Sequence, residues 1–152
     1  MIQPTNYRYS ILEIAGYHVG VEVFSVKEVL NYPRVTAIPN VHPSIKGVFN
    51  LRGQIYSLID IAELFKIKKE KTNTENYVVI LEYEDISFGI LVNKVLDVLI
   101  IESDKIVIPS HEDALQLVQY SNGIVNHDDL GDIYLLDMPV LMDAKEISQY
   151  RF

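Results

Sequence analysis

An internal repeat constrains the fold of this 152-residue chain more than any other feature of its sequence. Aligning Gly20 with Gly89 superposes a run of similar residues at one constant offset, and the correspondence continues downstream with a few extra residues in the second copy. A unit of about 70 residues buries too little apolar surface to be stable alone, so we expect the two copies to pack together and share a third apolar layer. The matched pairs are Gly20 and Gly89, Val26 and Val95, Glu28 and Asp97, Val29 and Val98, Leu30 and Leu99, Pro39 and Pro109, Gly47 and Gly123, and Asp60 and Asp137.

Both copies consist of short segments with strand character. Runs rich in Val, Ile and Tyr recur at short intervals, with Gly, Pro, Asn and Asp between them, which is typical of all-β proteins. We therefore predict an all-β chain built as a duplicated small barrel, with the first barrel at about residues 15–73 and the second at about residues 74–142. The predicted strands are residues 7–14, 17–23, 44–49, 54–59, 77–83, 86–92 and 132–136.

The helices are predicted to be short. A capping side chain three residues before a Glu marks a helix start, because the two side chains satisfy each other's free backbone amides. This spacing predicts one or two helical turns at residues 25–28 and 60–63, and a longer helix at residues 143–150. A further helix is predicted at residues 110–118, and the lysine-rich segment 66–76, which has no apolar period, is predicted to be an exposed connection.

Charge and the absence of cysteine exclude several classes of function. Lys and Arg number 13 against 21 Asp and Glu, which gives a net charge of −8, so nucleic acid is not an expected partner. Without cysteine the chain forms neither disulfides nor thiolate metal sites, and we expect a cytoplasmic location. The sequence contains no apolar run long enough to cross a bilayer, so direct membrane insertion is not expected.

The candidate catalytic and metal-binding residues are scattered. The four histidines lack the helical spacing of a zinc site, so neither a metal nor a cofactor is predicted. His127, Asp128 and Asp129 come nearest to a ligand cluster, for which an exposed polar turn is the alternative explanation. Asp60 and Asp137 could form a pair of catalytic carboxylates, but their positions before short apolar turns favour helix capping. The histidines are His18, His42, His111 and His127.

One central segment carries a family resemblance. The sequence Gly-Val-Phe-Asn-Leu-Arg-Gly, from Gly47 to Gly53, resembles the Asn-Leu-Arg-Gly signature of CheW, the bacterial chemotaxis coupling family. The resemblance covers about residues 9–142 and implies one CheW-like domain over residues 1–152. That domain would consist of two intertwined, five-stranded SH3-like barrels related by a pseudo-twofold axis, with the N-terminal strand and C-terminal helix packed on them. Further similar segments are residues 17–28, 32–43 and 89–99.

Two residues depart from the family pattern. Ser57 stands where the family commonly has proline, which leaves this strand slightly less restricted without threatening the barrel. Asn93 stands where the family commonly has aspartate. A partner contact that requires a carboxylate at this position is therefore in question.

The resemblance implies a non-enzymatic adaptor. It would join the cytoplasmic tips of chemoreceptors to the regulatory domain of the histidine kinase CheA, at membrane receptor arrays and without inserting into the membrane. By position in the family motifs, the receptor-binding residues are Val26, Glu28, Lys46, Gly47 and Arg52. The kinase-binding residues are Val78, Val95 and Val98.

Each of these residues also has a purely structural interpretation. Arg52 could bridge carbonyl groups or a carboxylate within the first barrel, because its guanidinium offers several donors in a fixed fork. Glu28 could cap a helix with Ser25, and Gly47 could supply a backbone angle that other residues avoid. The three valines could belong to a barrel core, since strand alternation assigns faces poorly where both faces are apolar.

Two alternative functions stay open from the sequence. The first is a CheW-like adaptor of another receptor-kinase array, such as one that controls surface motility. The second is a small hydrolase or ligand-binding barrel that uses His127, Asp128 and Asp137.

Overall fold

The computed structural model describes residues 3–69, 77–110 and 115–148. Within these ranges the chain forms ten strands, four short helices and two single 3₁₀ turns, at Val23–Ser25 and Ser103–Lys105. None of the helices in this part of the chain is long and apolar enough to cross a membrane. The strands are β1 (Asn6–Ile14), β2 (Tyr17–Glu22), β3 (Val26–Asn31), β4 (Ile45–Leu51), β5 (Gln54–Ile59), β6 (Tyr77–Tyr83), β7 (Ile86–Val92), β8 (Lys94–Glu102), β9 (Ser121–His127) and β10 (Gly131–Leu136). The helices are α1 (Ile61–Leu64), α2 (Gln116–Gln119), α3 (Met138–Met142) and α4 (Lys145–Ser148).

The strands form two five-stranded sheets whose strand orders are equivalent under the sequence repeat. Sheet I has the order β8-β1-β2-β10-β9, and sheet II has the order β3-β6-β7-β5-β4. Replacing each strand of sheet I by its counterpart in the other copy gives the order of sheet II. The duplication and the all-β class predicted from the sequence are therefore confirmed.

Each sheet combines strands from both halves of the chain. Sheet I joins β1 and β2 to three strands of the second half, and sheet II joins β3, β4 and β5 to two of them. The predicted limits, residues 15–73 and 74–142, do not separate the sheets and are wrong in this respect. Each half completes its sheets with strands of the other copy, which an alignment of equivalent residues does not reveal.

Two glycines sit where the parallel strands of each sheet meet. Gly20 pairs with Leu135 in sheet I, and Gly89 pairs with Leu58 at the equivalent position of sheet II. A Cβ atom at Gly20 would lie 2.9 Å from Leu135 Cδ2, and one at Gly89 would lie 2.8 Å from Val78 Cγ1. A side chain at either position would force these neighbouring side chains to shift, so packing favours glycine at both.

Each sheet closes into a barrel through a short bridge that follows its edge strand. Thr36 exchanges two backbone hydrogen bonds with Val48, at 2.8 and 2.9 Å, and Val107 exchanges two with Ile124, at 2.9 and 2.8 Å. These bridges occupy equivalent places in the two copies. They connect the chain after β3 to β4, and the chain after β8 to β9, so both edges of each sheet are joined.

Three apolar clusters hold the two barrels together. One lies inside sheet I around Ile11 and Ile133, and one lies inside sheet II around Ile80 and Leu58. The third and largest combines residues of both sheets, including Leu12 from β1 and Leu81 from β6. The predicted third apolar layer is therefore confirmed, and the barrels share it.

Some helix predictions are right and others are wrong. Asp60 and Asp137 cap α1 and α3, accepting hydrogen bonds at 3.3 Å from the amides of Glu63 and Val140. The helix predicted at residues 25–28 is wrong, because Val26 begins β3 after a 3₁₀ turn. The strands β3, β8 and β9 were not predicted as strands at all.

The two longer predicted helices are each a single turn within the described residues. In the described part of 110–118, helix begins at Gln116, and residues 111–114 lie outside the described ranges. In the described part of 143–150, the helix is a single turn at Lys145–Ser148. Of the predicted connection at 66–76, residues 66–69 are non-helical, and residues 70–76 lie outside the described ranges.

Candidate functional site

The predicted receptor-binding residues all belong to sheet II, on β3, on β4 and in the turn after β4, but Lys46 and Gly47 lie at the opposite end of β4 from Arg52. Their most specific contact is a paired interaction between Arg52 and Glu28. Arg52 donates from Nη1 to Glu28 Oε2 at 2.9 Å and from Nη2 to Glu28 Oε1 at 2.8 Å. Such parallel hydrogen bonds fix the orientation of both planes. The hydrogen bonds from Arg52 lower the pKa of Glu28, and the same bonds raise the pKa of Arg52. Glu28 does not cap a helix with Ser25, because Ser25 ends the 3₁₀ turn before β3 and Glu28 lies within β3.

A tight turn presents the Arg52 side chain. Arg52 and Gly53 join β4 to β5 with φ values of +51° and +83°, as a two-residue hairpin turn of the primed type requires. The Asn50 side-chain oxygen accepts a hydrogen bond from the Gly53 amide at 3.0 Å, which secures the turn. The Arg52 side chain is 72% exposed although it is paired. The local structure therefore both orients the guanidinium and leaves it accessible.

Lys46 and Gly47 mark a bulge at the start of β4. The pairing between β4 and β5 shifts between Ile45 and Gly47, so Lys46 is the extra residue. Gly47 is buried, has φ of +142°, and would place a Cβ atom 2.1 Å from the Thr36 carbonyl oxygen. This close approach explains Gly47 by backbone geometry alone. Lys46 is exposed, with its Nζ 3.8 Å from Asp60 Oδ2.

A second polar network adjoins this surface and was not predicted from the sequence. Lys27 Nζ lies 3.2 Å from Glu82 Oε2 and 3.5 Å from the Tyr56 hydroxyl, which donates to Gln54 at 2.7 Å. The hydrogen bond to Glu82 raises the pKa of Lys27, and the hydrogen bond from Lys27 lowers that of Glu82. Lys27 is the bulge residue of β3, and the sequence signal was its place between two nominated residues, Val26 and Glu28.

The predicted kinase-binding valines occupy three different environments. Val78 is 0% exposed inside the barrel of sheet II, so its nomination as a direct contact is wrong and its core interpretation is right. Val95 is half-buried and packs against the shared layer. Val98 is 53% exposed on the outer side of β8. Alternation could not separate them, because both faces of these strands are apolar.

An exposed apolar strip continues from Val98 and was also missed. Ile100 lies two residues further along β8 and therefore on the same side of the strand as Val98. Ile100 and Val107 border one groove, and both are exposed. We call Val98, Ile100 and Val107 the sheet I apolar strip. The sequence signal that could have identified the strip is the pair of branched apolar residues at alternate positions, Val98 and Ile100.

The turn between β9 and β10 differs sharply from the turn that carries Arg52. Asp97 is the repeat equivalent of Glu28, and Asp97, His127 and Asp129 line one groove. His127 Nδ1 accepts hydrogen bonds from the amides of Asp129 and Leu130, at 3.2 and 3.3 Å. His127 therefore stabilises its own turn, as the polar-turn explanation predicts.

This geometry contradicts a hydrolytic site in which His127 and Asp137 act together. His127 ends β9, whereas Asp137 follows β10 at the opposite end of the same hairpin. A strand of this length spans about 17–20 Å, so these two side chains cannot act on one bond. Within residues 3–69, 77–110 and 115–148, no three His, Asp or Glu side chains are grouped to hold a metal ion.

Asn93 also has a structural role. Its side-chain oxygen accepts a hydrogen bond from the backbone amide of Ala15 at 2.6 Å, and the backbone amide of Asn93 donates to the Glu13 carbonyl at 2.8 Å. Asn93 is buried, so it joins β7 to the β1–β2 turn instead of facing a partner. Ser57 is likewise buried within β5.

Comparisons with known proteins agree with this architecture. The family model described as the CheW-like domain matches residues 8–146. The chain is 30% identical over 149 residues to the chemotaxis protein CheW of Klebsiella aerogenes, covering 96% of this chain and 87% of that one. It is 26% identical over 136 residues to the chemotaxis protein CheW of Treponema pallidum, covering 86% of this chain and 78% of that one. The crystal structure of the scaffolding protein TtCheW from Thermoanaerobacter tengcongensis superposes with a TM-score of 0.81 at 26% identity, covering 94% of this chain and 92% of that one.

Each barrel contains strands from both halves of the chain, and the two barrels share one apolar layer. This architecture defines a duplicated SH3-like barrel protein, whose two sheets expose surfaces of different chemistry. The chain belongs to the CheW-like domain family.

Proposed function

We propose that this chain is a chemotaxis adaptor that couples chemoreceptors to the histidine kinase CheA without reacting chemically with either. The observation that carries the proposal is that the two sheets present chemically different exposed surfaces. Sheet II presents the Arg52–Glu28 pair, whereas sheet I presents the apolar strip. Two unlike surfaces suit two unlike partners, and family membership supports chemotaxis as the setting.

The receptor tip would bind at sheet II. An arginine side chain has five N–H donors, and Glu28 accepts from two nitrogens of Arg52. The remaining donors of the exposed guanidinium can reach carboxylate or carbonyl oxygens of the receptor. Glu28 holds the guanidinium plane before binding, which reduces the entropy lost when the complex forms. Val26 lies beside this pair at the start of β3.

The regulatory domain of the kinase would bind at sheet I. Val98 lies at the centre of this proposal and Val95 at its buried margin. Burial of exposed branched side chains against a partner supplies affinity without directional bonds. Receptor and kinase would thus meet on one rigid body at the cytoplasmic side of the membrane. Their geometry would change together when the receptor changes state, because the kinase then makes different contacts in each state.

Reciprocal substitutions test the proposal. Val98→Glu introduces a charge into the apolar strip and is expected to weaken binding of the kinase regulatory domain about 5- to 150-fold, the equivalent of about 1–3 kcal/mol. Binding of a soluble receptor signalling fragment should stay within about twofold, the scatter expected for independent sites. Arg52→Ala should have the reverse effect.

Val29→Glu is the matched control for Val98→Glu, because Val29 occupies the equivalent position of β3 and is 43% exposed. It should leave kinase binding unchanged. Titration calorimetry with both fragments measures all variants, after circular dichroism has shown that they are folded. Equal loss of kinase binding in Val98→Glu and Val29→Glu, or none in either, would contradict the assignment of surfaces.

A further inference from the structure

Several polar side chains lie at the end of sheet II that carries Arg52. β6 runs antiparallel to β3 and to β7, β5 runs parallel to β7, and β4 runs antiparallel to β5. The starts of β3, β5 and β7 therefore lie at one end of the sheet, together with the ends of β4 and β6. Lys27 near the start of β3, Tyr56 near the start of β5 and Glu82 near the end of β6 all belong to this end. We call it the Arg52 end of sheet II.

Two side chains hold Lys27 at this end. The Lys27 ammonium donates to the Tyr56 hydroxyl at 3.5 Å and lies 3.2 Å from Glu82 Oε2. Tyr56 is buried, and its ring stacks on that of Phe49 with the centroids 5.6 Å apart. Glu82 also accepts a hydrogen bond from the Ser87 hydroxyl at 3.1 Å. Both partners of Lys27 are thus fixed by other contacts, which restricts the rotamers of its long side chain.

The other copy shows that the fold does not require this network. Leu96 is the repeat equivalent of Lys27, and the pairing of the parallel strands makes Ile133 the equivalent of Tyr56. Ile133 belongs to the apolar cluster inside sheet I, and Leu96 packs against that cluster. An apolar pair therefore builds the same part of the other barrel. The exposed ammonium of Lys27 is an addition specific to sheet II.

We propose that Lys27 is a further receptor contact, whose ammonium donates a hydrogen bond to a carbonyl oxygen of the receptor tip beside Arg52. An ammonium carries three N–H donors, and within the described residues Tyr56 and Glu82 take two of them. The Lys27 side chain is 41% exposed, so a partner can reach the third. The pKa of Glu28 is lowered mainly by Arg52 and also by the charge of Lys27, so both cations act on one carboxylate. This inference rests on the proposed receptor role of sheet II.

The charges around Lys27 favour a neutral acceptor. Glu82, Glu84 and Asp85 line the same groove as Lys27. Three carboxylates beside one ammonium make the groove acidic, so a further carboxylate from the receptor would be repelled. A carbonyl oxygen, from the backbone or from a side-chain amide, accepts the hydrogen bond without this repulsion.

Lys27→Met tests the contact, because methionine has a similar length and no N–H donor, and the other copy accepts an apolar side chain here. Lys94→Met is the matched control, since it makes the same change of charge at an exposed lysine of sheet I, 4.0 Å from Glu13. We expect Lys27→Met to weaken binding of a soluble receptor signalling fragment about tenfold, the loss of one hydrogen bond from a charged donor. Binding of the kinase regulatory domain should stay within about twofold, and Lys94→Met should not change receptor binding. Because the acceptor is neutral, the loss in Lys27→Met should be similar at low and high salt.

Several outcomes of these titrations would overturn the inference. One is equal receptor binding by Lys27→Met and the wild type, and another is a parallel loss of kinase binding, which indicates a general structural role. An equal loss in Lys94→Met would show a nonspecific effect of charge. A loss that disappears at high salt would show that the acceptor is a carboxylate and would overturn the assignment of a carbonyl.

The inference and the proposed function can fail separately. If Arg52→Ala weakens receptor binding and Lys27→Met does not, the inference alone is wrong. If the wild type binds no receptor fragment, the proposed function is wrong and the inference fails with it.

A measurement on the wild type covers the case in which Lys27→Met does not fold. In nuclear magnetic resonance spectra, the ε-methylene signals of Lys27 should shift when the receptor signalling fragment is added to saturation, whereas those of Lys94 should not. Unchanged Lys27 signals at saturation would overturn the contact.

Discussion

The two barrels share a backbone plan and differ in the chemistry of their surfaces. Gly20 and Gly89 permit the same strand contact, and Asp60 and Asp137 cap equivalent helices. The bulge residue of β3, however, is Lys27 in a polar network, whereas the equivalent Leu96 of β8 packs towards the core of sheet I. Positions that the repeat preserves define the fold, and positions where it diverges give the two barrels surfaces of different chemistry.

The hairpin turns show the same divergence in charge. The turn after β4 carries Arg52, which pairs with Glu28. The equivalent turn after β9 carries Asp128 and Asp129, and Asp97 lines the groove beside it. An attractive pair on sheet II therefore corresponds to a set of like charges on sheet I. The two barrels cannot present the same surface to one partner.

Separating the halves should have the largest effect. Because each sheet takes strands from both copies, residues 1–73 and 74–152 should each fail to fold alone. We expect neither fragment to show a cooperative thermal transition by circular dichroism, and a mixture of the two to regain one. Independent, native-like melting of either fragment would show that a half is stable without the strands of the other half, and would contradict this explanation of stability.

Equivalent glycines provide the next comparison. Gly47→Ala places a Cβ atom 2.1 Å from a backbone oxygen at positive φ, whereas Gly123→Ala meets the side chain of Ile106 at 2.4 Å. Backbone gives way less readily than a side chain, so we expect losses of about 3 kcal/mol or more for Gly47→Ala and about 1–2 kcal/mol for Gly123→Ala. Denaturant unfolding measures both. A larger loss of unfolding free energy for Gly123→Ala than for Gly47→Ala would contradict the expectation that the backbone contact at Gly47 is the more rigid one.

The smallest expected effect concerns the pH dependence of the Glu28 pair. Its hydrogen bonds from Arg52 lower the pKa of Glu28 in the folded state, so the stabilisation is complete above the unfolded pKa. It is lost as the pH falls through the lower folded pKa. The wild type should therefore exceed Glu28→Gln in unfolding free energy at neutral pH, with the difference disappearing in acid.

Asp97→Asn is the control for this measurement, because Asp97 forms no ion pair among the described residues. It should show no comparable difference from the wild type. A stability difference for Glu28→Gln that is constant down to strongly acidic pH would show that the pair does not stabilise the fold.

The sequence predicted the repeat, the all-β class, the shared layer and the aspartate caps, because each depends on local spacing or on the burial a small unit requires. It did not predict which copy completes each sheet, since equivalent strands are interchangeable in an alignment. The capping spacing at Ser25 and Glu28 suggested a helix, and strand pairing with β6 overrode it. Val78 was misplaced because β6 is apolar on both faces, one towards its barrel and one towards the shared layer.

We propose that the two barrels bind different partners at the same time. Sedimentation velocity of the chain with a receptor signalling fragment and the CheA regulatory domain tests it most directly. We expect a complex that contains all three components, with the kinase domain still bound when the receptor fragment is saturating. Displacement of either partner by the other would show that both bind one surface and would contradict the proposal.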